Sequence, residues 1–198
     1  MSGGFIVVLA ILAFAAVTIF KGVRIVPQGY KWIVQRLGKY HTTLSPGLNF
    51  VIPYVDEVAY KVTTKDIVLD IPSQEVITRD NAVLLMNAVA YINITTPVNA
   101  VYGIENYTWA IQNLVQTSLR SIVGEMDLDD ALSSRDHIKA KLKAAISDDI
   151  SDWGITLKTV EIQDIQPSST MQAAMEAQAA AERQRRATVT KADGEKQA

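Results

Sequence analysis

The feature that most constrains this chain is an uninterrupted apolar run from Gly3 to Phe20. The run has no charged residue, and Thr18 is its only residue with a polar side chain. Eighteen residues of α-helix are about 27 Å long, close to the roughly 30 Å hydrocarbon core of a bilayer. A helix of this length on a soluble core would show a polar face, and this run shows none. The sequence therefore predicts a membrane anchor over residues 1–25.

A secretory signal peptide is the competing interpretation of this run, because Ala13-Phe14-Ala15 resembles a cleavage site. However, no Lys or Arg precedes the run, and its apolar residues continue to Phe20. Both observations favour an uncleaved anchor that crosses the membrane once.

Charge is distributed unevenly along the chain, although the net charge is only -2. The first 55 residues contain no Asp or Glu, and their basic residues are Lys21, Arg24, Lys31, Arg36 and Lys39. A basic segment after an apolar span attracts anionic headgroups and favours the cytoplasmic side. We therefore expect the N-terminus outside and the body in the cytoplasm. The absence of Cys excludes disulfides, thiolate zinc sites, a Cys nucleophile and palmitoylation.

The region after the anchor is rich in strand signals. β-Branched and aromatic residues over Tyr30–Leu37 predict a strand that ends at Gly38. The apolar run Leu48–Tyr54, which contains one proline and follows another, leaves two interpretations open: a buried strand, or a loop that enters the near leaflet. In the second interpretation the residues at the membrane interface are Leu48, Phe50, Trp32 and Tyr54.

The middle of the chain reads as an α+β unit. Strands are predicted over Lys65–Pro72 and Gln74–Thr78, and after a turn the alternation over Ala82–Ile94 predicts a strand with one buried face. Three helices follow, over Pro97–Gly103, from Asn106 to Gly124, and up to a stop at Gly154. Asp127 and the serines at 133 and 134 are expected to cap helices, and Ile155–Ile165 returns to strand.

From Pro167 the sequence predicts a long helix with no stop before Gly194. Eight alanines lie between Met171 and Ala192. Alanine favours helix but buries little apolar area, so such a helix packs best closely along copies of itself. The predicted oligomer interface comprises Ala173, Ala177, Ala180, Glu182 and Arg186. We also expect the natural chain to continue beyond Ala198.

The sequence contains no familiar catalytic motif. His41 and His137 lack metal-ligand spacing, and Ser133, Asp136 and His137 are too close in sequence to form a triad. No phosphate-binding glycine loop is present, and the basic cluster 183–186 lies on a helix that also carries acids. The sequence predicts a non-enzyme without cofactor, metal or nucleic-acid partner, the alternative being a membrane-tethered enzyme of an unfamiliar class.

An ordered set of motifs covers the chain from Val26 to its end. These are Val26-Pro27-Gln28-Gly29, Gln35–Tyr40, Pro46-Gly47-Leu48, Ile52-Pro53, Thr78–Asn81, Gln116–Arg120, Gly124-Glu125-Met126, Leu132–Asp136, Trp153-Gly154-Ile155, Ala174-Met175 and Ala181–Ala187. In this set the chain resembles the stomatin/prohibitin/flotillin (SPFH, band 7) family, and within it the bacterial stomatin-like membrane proteins.

After the predicted transmembrane helix (1–25), the resemblance implies an α+β fold with a strand-rich, membrane-proximal first subdomain (26–95), an α+β second subdomain (96–166) and the start of a coiled-coil helix (167–198). It implies a homo-oligomeric ring or cage that organises a microdomain of the bacterial inner membrane. The alternative is a regulatory subunit of an FtsH-type AAA protease or another membrane client. No catalytic residues come with the family. Many stomatins use a hairpin and palmitoylated cysteines, which a single-pass anchor would replace here.

Overall fold

The computed structural model describes the backbone of residues 3–197, and the side chains of these residues except those at 3, 5, 6, 10, 178 and 189–197. The elements in chain order are α1 (Gly3–Gly22), β1 (Val23–Val26), β2 (Tyr30–Arg36), β3 (Lys39–Leu44), β4 (Gly47–Phe50), β5 (Asp56–Thr63), β6 (Asp66–Ile77), β7 (Val83–Ile94), α2 (Pro97–Tyr102), α3 (Tyr107–Gly124), α4 (Leu128–Ser133), α5 (Arg135–Asp152), β8 (Ile155–Pro167) and α6 (Ser169–Gln197). The predicted α+β class is confirmed.

The helix α1 contains most of the predicted anchor. Its described large apolar side chains are all exposed, from 50% at Val17 to 82% at Phe20. Among the described residues, no helix combines the length and apolarity that crossing a bilayer requires. The predicted transmembrane span is not confirmed.

Three sheets organise the strands. A two-stranded ribbon pairs β1 with β4, a second sheet has the order β3-β2-β5, and a third has the order β6-β7-β8. The described chain divides into two compact units, the first comprising residues up to Val68 with Tyr91–Ala110 and Ser147–Lys158, the second comprising Leu69–Ala90, Ile111–Ile146 and the chain from Thr159.

The core of the first unit includes a cluster of four buried residues, Val26, Val34, Leu44 and Val51. Tyr30, Trp32 and Val58 pack against this cluster. The cluster joins the ribbon to the β2 sheet, because Val26 lies on β1 and Val34 on β2.

The second unit is built from sequence periodicities that were predicted correctly. Residues of β7 at a period of two, from Leu84 to Ala90, are fully buried, and so are residues of α5 at a period of four, from Ile138 to Ile146. Side-chain hydrogen bonds place α3 beside β6, since Gln112 Nε2 donates to the Asp70 carbonyl at 2.8 Å.

Four predictions from the sequence are wrong. The two strands predicted between Lys65 and Thr78 are one strand, β6 (Asp66–Ile77), because Pro72 lies on an edge strand, where a missing N–H is tolerated. Four helices, not three, separate β7 from β8, the extra one being α4. Asp127 precedes α4 but its side chain caps nothing, because its carboxylate pairs with Arg79. The last helix begins at Ser169 and continues through Gly194 to Gln197.

Candidate functional site

The ribbon of β1 and β4 exposes apolar side chains on one of its two faces. Its register places Val23 opposite Phe50 and Ile25 opposite Leu48. Opposed residues, and residues two apart on one strand, share a face, so these four residues form one face of the ribbon. Ile25, Leu48 and Phe50 are 71%, 76% and 60% exposed. We call these four residues the ribbon face; it is an apolar surface that the described chain leaves uncovered.

The ribbon face is fixed to the end of α1 at Gly22. The Val51 N–H donates to the Gly22 carbonyl at 2.8 Å. A Cβ placed on Gly22 would lie 2.7 Å from the Phe50 ring and 2.8 Å from the Val51 carbonyl oxygen. Only glycine allows this close approach. The exposed helix and the exposed strand therefore meet at one junction.

The turn from Ile52 to Asp56 carries a further exposed aromatic residue, Tyr54. The Asp56 N–H donates to the Ile52 carbonyl at 2.9 Å, and the Ile52 N–H donates to Asp56 Oδ2 at 2.9 Å. Tyr54 has a φ of 70° and is 69% exposed. A bulky L-residue in this left-handed region is uncommon, so the turn bonds hold Tyr54 in a conformation it does not favour.

Asp56 also links this turn to β2. Arg36 Nε donates to Asp56 Oδ1 at 2.7 Å, and Arg36 Nη2 donates to Oδ2 at 3.1 Å. The Arg36 hydrogen bond is the main cause that lowers the pKa of Asp56 to about 2, and the Ile52 N–H acts in the same direction. The Asp56 carboxylate is therefore ionised at neutral pH, with its charge offset by a guanidinium.

Basic side chains flank the junction of α1 and the ribbon. Lys21 Nζ lies 5.7 Å from the centre of the Tyr54 ring, a cation–π distance. Lys21, Arg24, Tyr54 and Asp56 contribute to the lining of a surface cavity of about 560 Å³, which we call the α1-end cavity. It lies next to Phe20, where the apolar run of α1 ends.

The residues that the sequence assigned to a membrane interface fall into two environments. Leu48 and Phe50 lie on the exposed ribbon face and Tyr54 on the adjoining turn, so the interpretation of Leu48–Tyr54 as a buried strand is wrong for these three. Trp32 is half-buried against the Val26 cluster, with Lys61 Nζ 4.6 Å from its ring centre. Contact with lipid stays a prediction for all four.

The predicted membrane interface did not include Ile25, which is part of this surface. Ile25 is exposed and lies directly opposite Leu48. The signal was available in the alternation Val23-Arg24-Ile25-Val26, which is typical of a short strand with two different faces.

The second candidate surface is a stripe along α6. Ala173, Ala177, Ala180, Gln184 and Ala187 recur at spacings of four, three, four and three residues, and all are exposed. This is the spacing of the contact positions in a coiled coil. Three of the predicted interface residues, Ala173, Ala177 and Ala180, belong to this alanine stripe.

Glu182 and Arg186, the other two predicted interface residues, lie on a different side of α6. Glu182 Oε1 accepts hydrogen bonds from Arg185 Nη2 and Arg186 Nε, both at 3.1 Å, so these charges are partly satisfied within the helix. Glu182 also lines a groove of about 560 Å³ with Met171, Met175 and Ala179 on α6 and Leu128 on α4. At helical spacing this groove side is opposite the alanine stripe.

Comparison with known proteins assigns this architecture. The family model described as SPFH domain / Band 7 family matches residues 24–196. The chain belongs to this family. The resemblance noted from the sequence motifs is thereby confirmed.

The relatives lie in both archaea and bacteria. A protein named a stomatin homolog from Pyrococcus abyssi is 40% identical over 194 residues, covering 98% of this chain and 72% of the relative. An uncharacterized protein from Methanocaldococcus jannaschii is 40% identical over 192 residues, covering 97% of this chain and 95% of the relative. An uncharacterized protein from Mycobacterium bovis is 36% identical over 191 residues, covering 96% of this chain. The chain spans half the length of this mycobacterial relative.

Proposed function

We propose that this SPFH-family protein is a non-enzymatic membrane scaffold that assembles into a large homo-oligomeric ring or cage and organises a membrane microdomain. The observation that carries the proposal is the apolar surface formed by α1 and the ribbon face, which meet at Gly22. Apolar patches of this kind on a protein surface mark interaction sites with membranes or other proteins.

Membrane attachment follows from the chemistry of this surface. Burying one exposed Leu, Ile or Phe side chain contributes about 1.5–3 kcal/mol, and several lie together here. Lys21 lies at the end of α1 and Arg24 on β1, so basic residues that attract anionic headgroups lie close in the chain to the apolar surface. We propose that α1 inserts into the bilayer and that the ribbon face and Tyr54 contact the adjoining leaflet.

The proposed topology completes this arrangement. The N-terminus of α1 lies outside, the helix crosses the bacterial inner membrane once, and the body lies in the cytoplasm. Basic residues resist translocation, and those near α1 all follow it, which supports this orientation. The membrane-proximal subdomain (26–95) and the second subdomain (96–166) then both lie on the cytoplasmic side.

Homo-oligomerisation is proposed to use the alanine stripe of α6. Small residues let helix backbones approach closely, and a stripe at coiled-coil spacing repeats that contact along the helix. In a head-to-tail ring each helix has two neighbours, so a small contact area per pair is repeated around the circle. Confinement to the membrane raises the effective concentration of subunits.

A regulatory subunit for a membrane protease of the FtsH type, or for another membrane client, is the second candidate. The groove beside α6 supports it, because Met171 and Met175 line this groove and methionine adapts to varied apolar partners. A dedicated regulator should co-purify with one stoichiometric client from gentle detergent. A scaffold should instead purify as particles of its own subunits.

The direct test of membrane attachment is flotation of the full chain with neutral phosphatidylcholine vesicles after detergent removal. We expect the protein in the vesicle fraction, resistant to high salt, because apolar burial is not screened by ions. A matched sample without vesicles controls for buoyant aggregates. Protein left at the bottom of the gradient in both samples would contradict the proposal.

A further inference from the structure

The α1-end cavity has an excess of positive charge. Lys21 and Arg24 line it, and neither forms an ion pair with a carboxylate among the described residues. The acidic residue of the lining, Asp56, has both carboxylate oxygens engaged by Arg36, and Oδ2 also accepts the Ile52 N–H. The cavity therefore presents two cations that form no direct ion pair with a described carboxylate.

Tyr54 also lines the cavity, and its backbone adopts an unfavourable conformation. Its φ of 70° lies in the left-handed region, which is unfavourable for a residue with a bulky side chain. The bonds between Ile52 and Asp56 hold the turn in this form and keep the phenol beside Lys21. Strain that the surrounding structure maintains is characteristic of functional sites.

The position of the cavity along the chain points to a lipid ligand. Phe20, the last apolar residue of α1, lies in the same lining and is 82% exposed. Lys21 follows it directly, so the change from apolar to charged surface occurs within this one site. A molecule that joins an acyl chain to a phosphate matches this change.

We propose that Lys21, Arg24 and Tyr54 form a binding site for the phosphate group of an anionic phospholipid. The proposal rests on membrane attachment as the function of α1. The two cations and the phenol hydroxyl donate hydrogen bonds to phosphate oxygens, and Phe20 contacts the first methylenes of the acyl chains. The site differs from a diffuse attraction between all five N-terminal basic residues and the membrane surface, since only two of the five line it.

The test measures binding of a fluorescent short-chain phosphatidylglycerol to the full chain in neutral detergent, by fluorescence anisotropy. The variant is Lys21→Gln with Arg24→Gln. The matched control is Lys31→Gln with Lys39→Gln, which removes the same charge from the same basic segment but outside the cavity. We expect an affinity loss of about tenfold for the variant and less than about twofold for the control.

Two further measurements separate phosphate recognition from other causes. Tyr54→Gly should weaken phosphatidylglycerol binding while leaving the thermal midpoint unchanged or higher, because glycine accepts a positive φ without strain. Phosphatidylcholine with the same acyl chains should bind the parent more weakly, because its choline offsets the phosphate charge, and its affinity should fall less than that of phosphatidylglycerol in the Lys21→Gln, Arg24→Gln variant.

Several outcomes would overturn the site. Equal losses in the two double variants would assign anionic-lipid binding to diffuse charge, and equal binding of both lipids by the parent would remove headgroup recognition. Displacement of the lipid by inorganic phosphate at a matching concentration would make the ligand free phosphate. The Lys21→Gln, Arg24→Gln variant should still float on neutral vesicles. This flotation measures membrane attachment separately, so failure of the lipid site and failure of membrane attachment remain distinguishable.

Discussion

At the scale of single residues, Asp56 is the side chain on which the Tyr54 turn depends. Its side chain is 4% exposed, and it accepts hydrogen bonds from Arg36 and from the Ile52 backbone. Arg36 belongs to β2, so one carboxylate ties the Tyr54 turn to the sheet. A neutral amide of the same shape keeps the volume but loses the charge-assisted bonds.

We predict that Asp56→Asn lowers the midpoint of thermal unfolding by about 3–6 °C at pH 7, because charge-assisted hydrogen bonds are lost. The pKa of Asp56 is lowered to about 2 in the fold, below its unfolded value of about 3.9. The stabilisation is therefore complete above about pH 4 and is lost as the pH falls towards 2.

The measurement is calorimetry of parent and Asp56→Asn at several pH values, with the exposed loop carboxylate Glu105→Gln as control. The difference between parent and Asp56→Asn should be largest near neutral pH and close to zero at pH 2. A difference that stays constant down to pH 2 would show that the bonds to Arg36 and Ile52 are not its source.

At the scale of elements, β4 illustrates what a sequence can specify and what it cannot. The apolar residues of Leu48–Tyr54 excluded a polar loop, but burial depends on what covers a strand, and that is set by distant parts of the chain. Ile25 pairs with Leu48 across the ribbon, and the local sequence does not indicate whether these residues are buried or exposed. By contrast, β7 and α5 have one strongly apolar face each, and periodicity alone predicted their buried residues.

Irregular features escaped prediction for related reasons. Pro72 indicated a break between two strands, yet β6 is an edge strand, where a missing N–H is tolerated. Asp127 had the position of a helix cap, but a guanidinium 48 positions earlier in the chain, Arg79, binds its carboxylate. In each case a tertiary partner decided the outcome. The subdomain boundaries at 95/96 and 166/167 stay predictions.

We predict that Leu48→Asp with Phe50→Asp abolishes most vesicle binding of a chain that lacks residues 1–20. Carboxylates on the ribbon face would have to be desolvated to enter the leaflet. The control is Val68→Asp with Ile77→Asp, since these residues of β6 are also apolar and more than half exposed. Co-sedimentation with vesicles, together with circular dichroism to verify folding, measures the effect.

Binding that is equal for both pairs of substitutions would exclude the ribbon face as the lipid contact. In that event the exposed apolar residues of β4 are a surface for another protein.

Two faces of α6 can be compared by placing the same substitution on each. We predict that Ala180→Glu, on the alanine stripe, dissociates the oligomer, because a long charged side chain prevents close approach of two backbones. Ala174→Glu introduces the same residue on the same helix, off the stripe, and should leave the oligomer intact. Particle mass in neutral detergent is the measurement, and dissociation by both variants or by neither would remove the stripe from the interface.

At the scale of the whole molecule, topology can be read with a single introduced thiol, since the chain has no Cys. We predict that Gly4→Cys in intact bacterial cells reacts with a membrane-impermeant maleimide, and that Glu105→Cys reacts only after lysis. A Cβ at Gly4 meets no atom within 4 Å, so the substitution is tolerated by its surroundings. Labelling of Glu105→Cys before lysis would place the body outside the membrane.

Assembly is the central claim, and it joins the two candidate surfaces in one architecture. In the proposed architecture, membrane attachment through α1 and the ribbon face would gather the subunits in one plane, and the alanine stripe would let neighbouring helices pack closely. A single helix so rich in alanine buries too little area against its own chain to be held in place by it. The function as a scaffold therefore depends on contacts between copies.

The most direct test is the mass of the particle formed in neutral detergent by the full chain and by a chain that ends at Ser168, before α6 begins. Mass photometry, corrected for bound detergent, gives the number of subunits in each. The proposed architecture predicts a large particle of many subunits for the full chain and a much smaller one without α6. Particles of equal mass would contradict it, because the assembly interface would then lie outside α6.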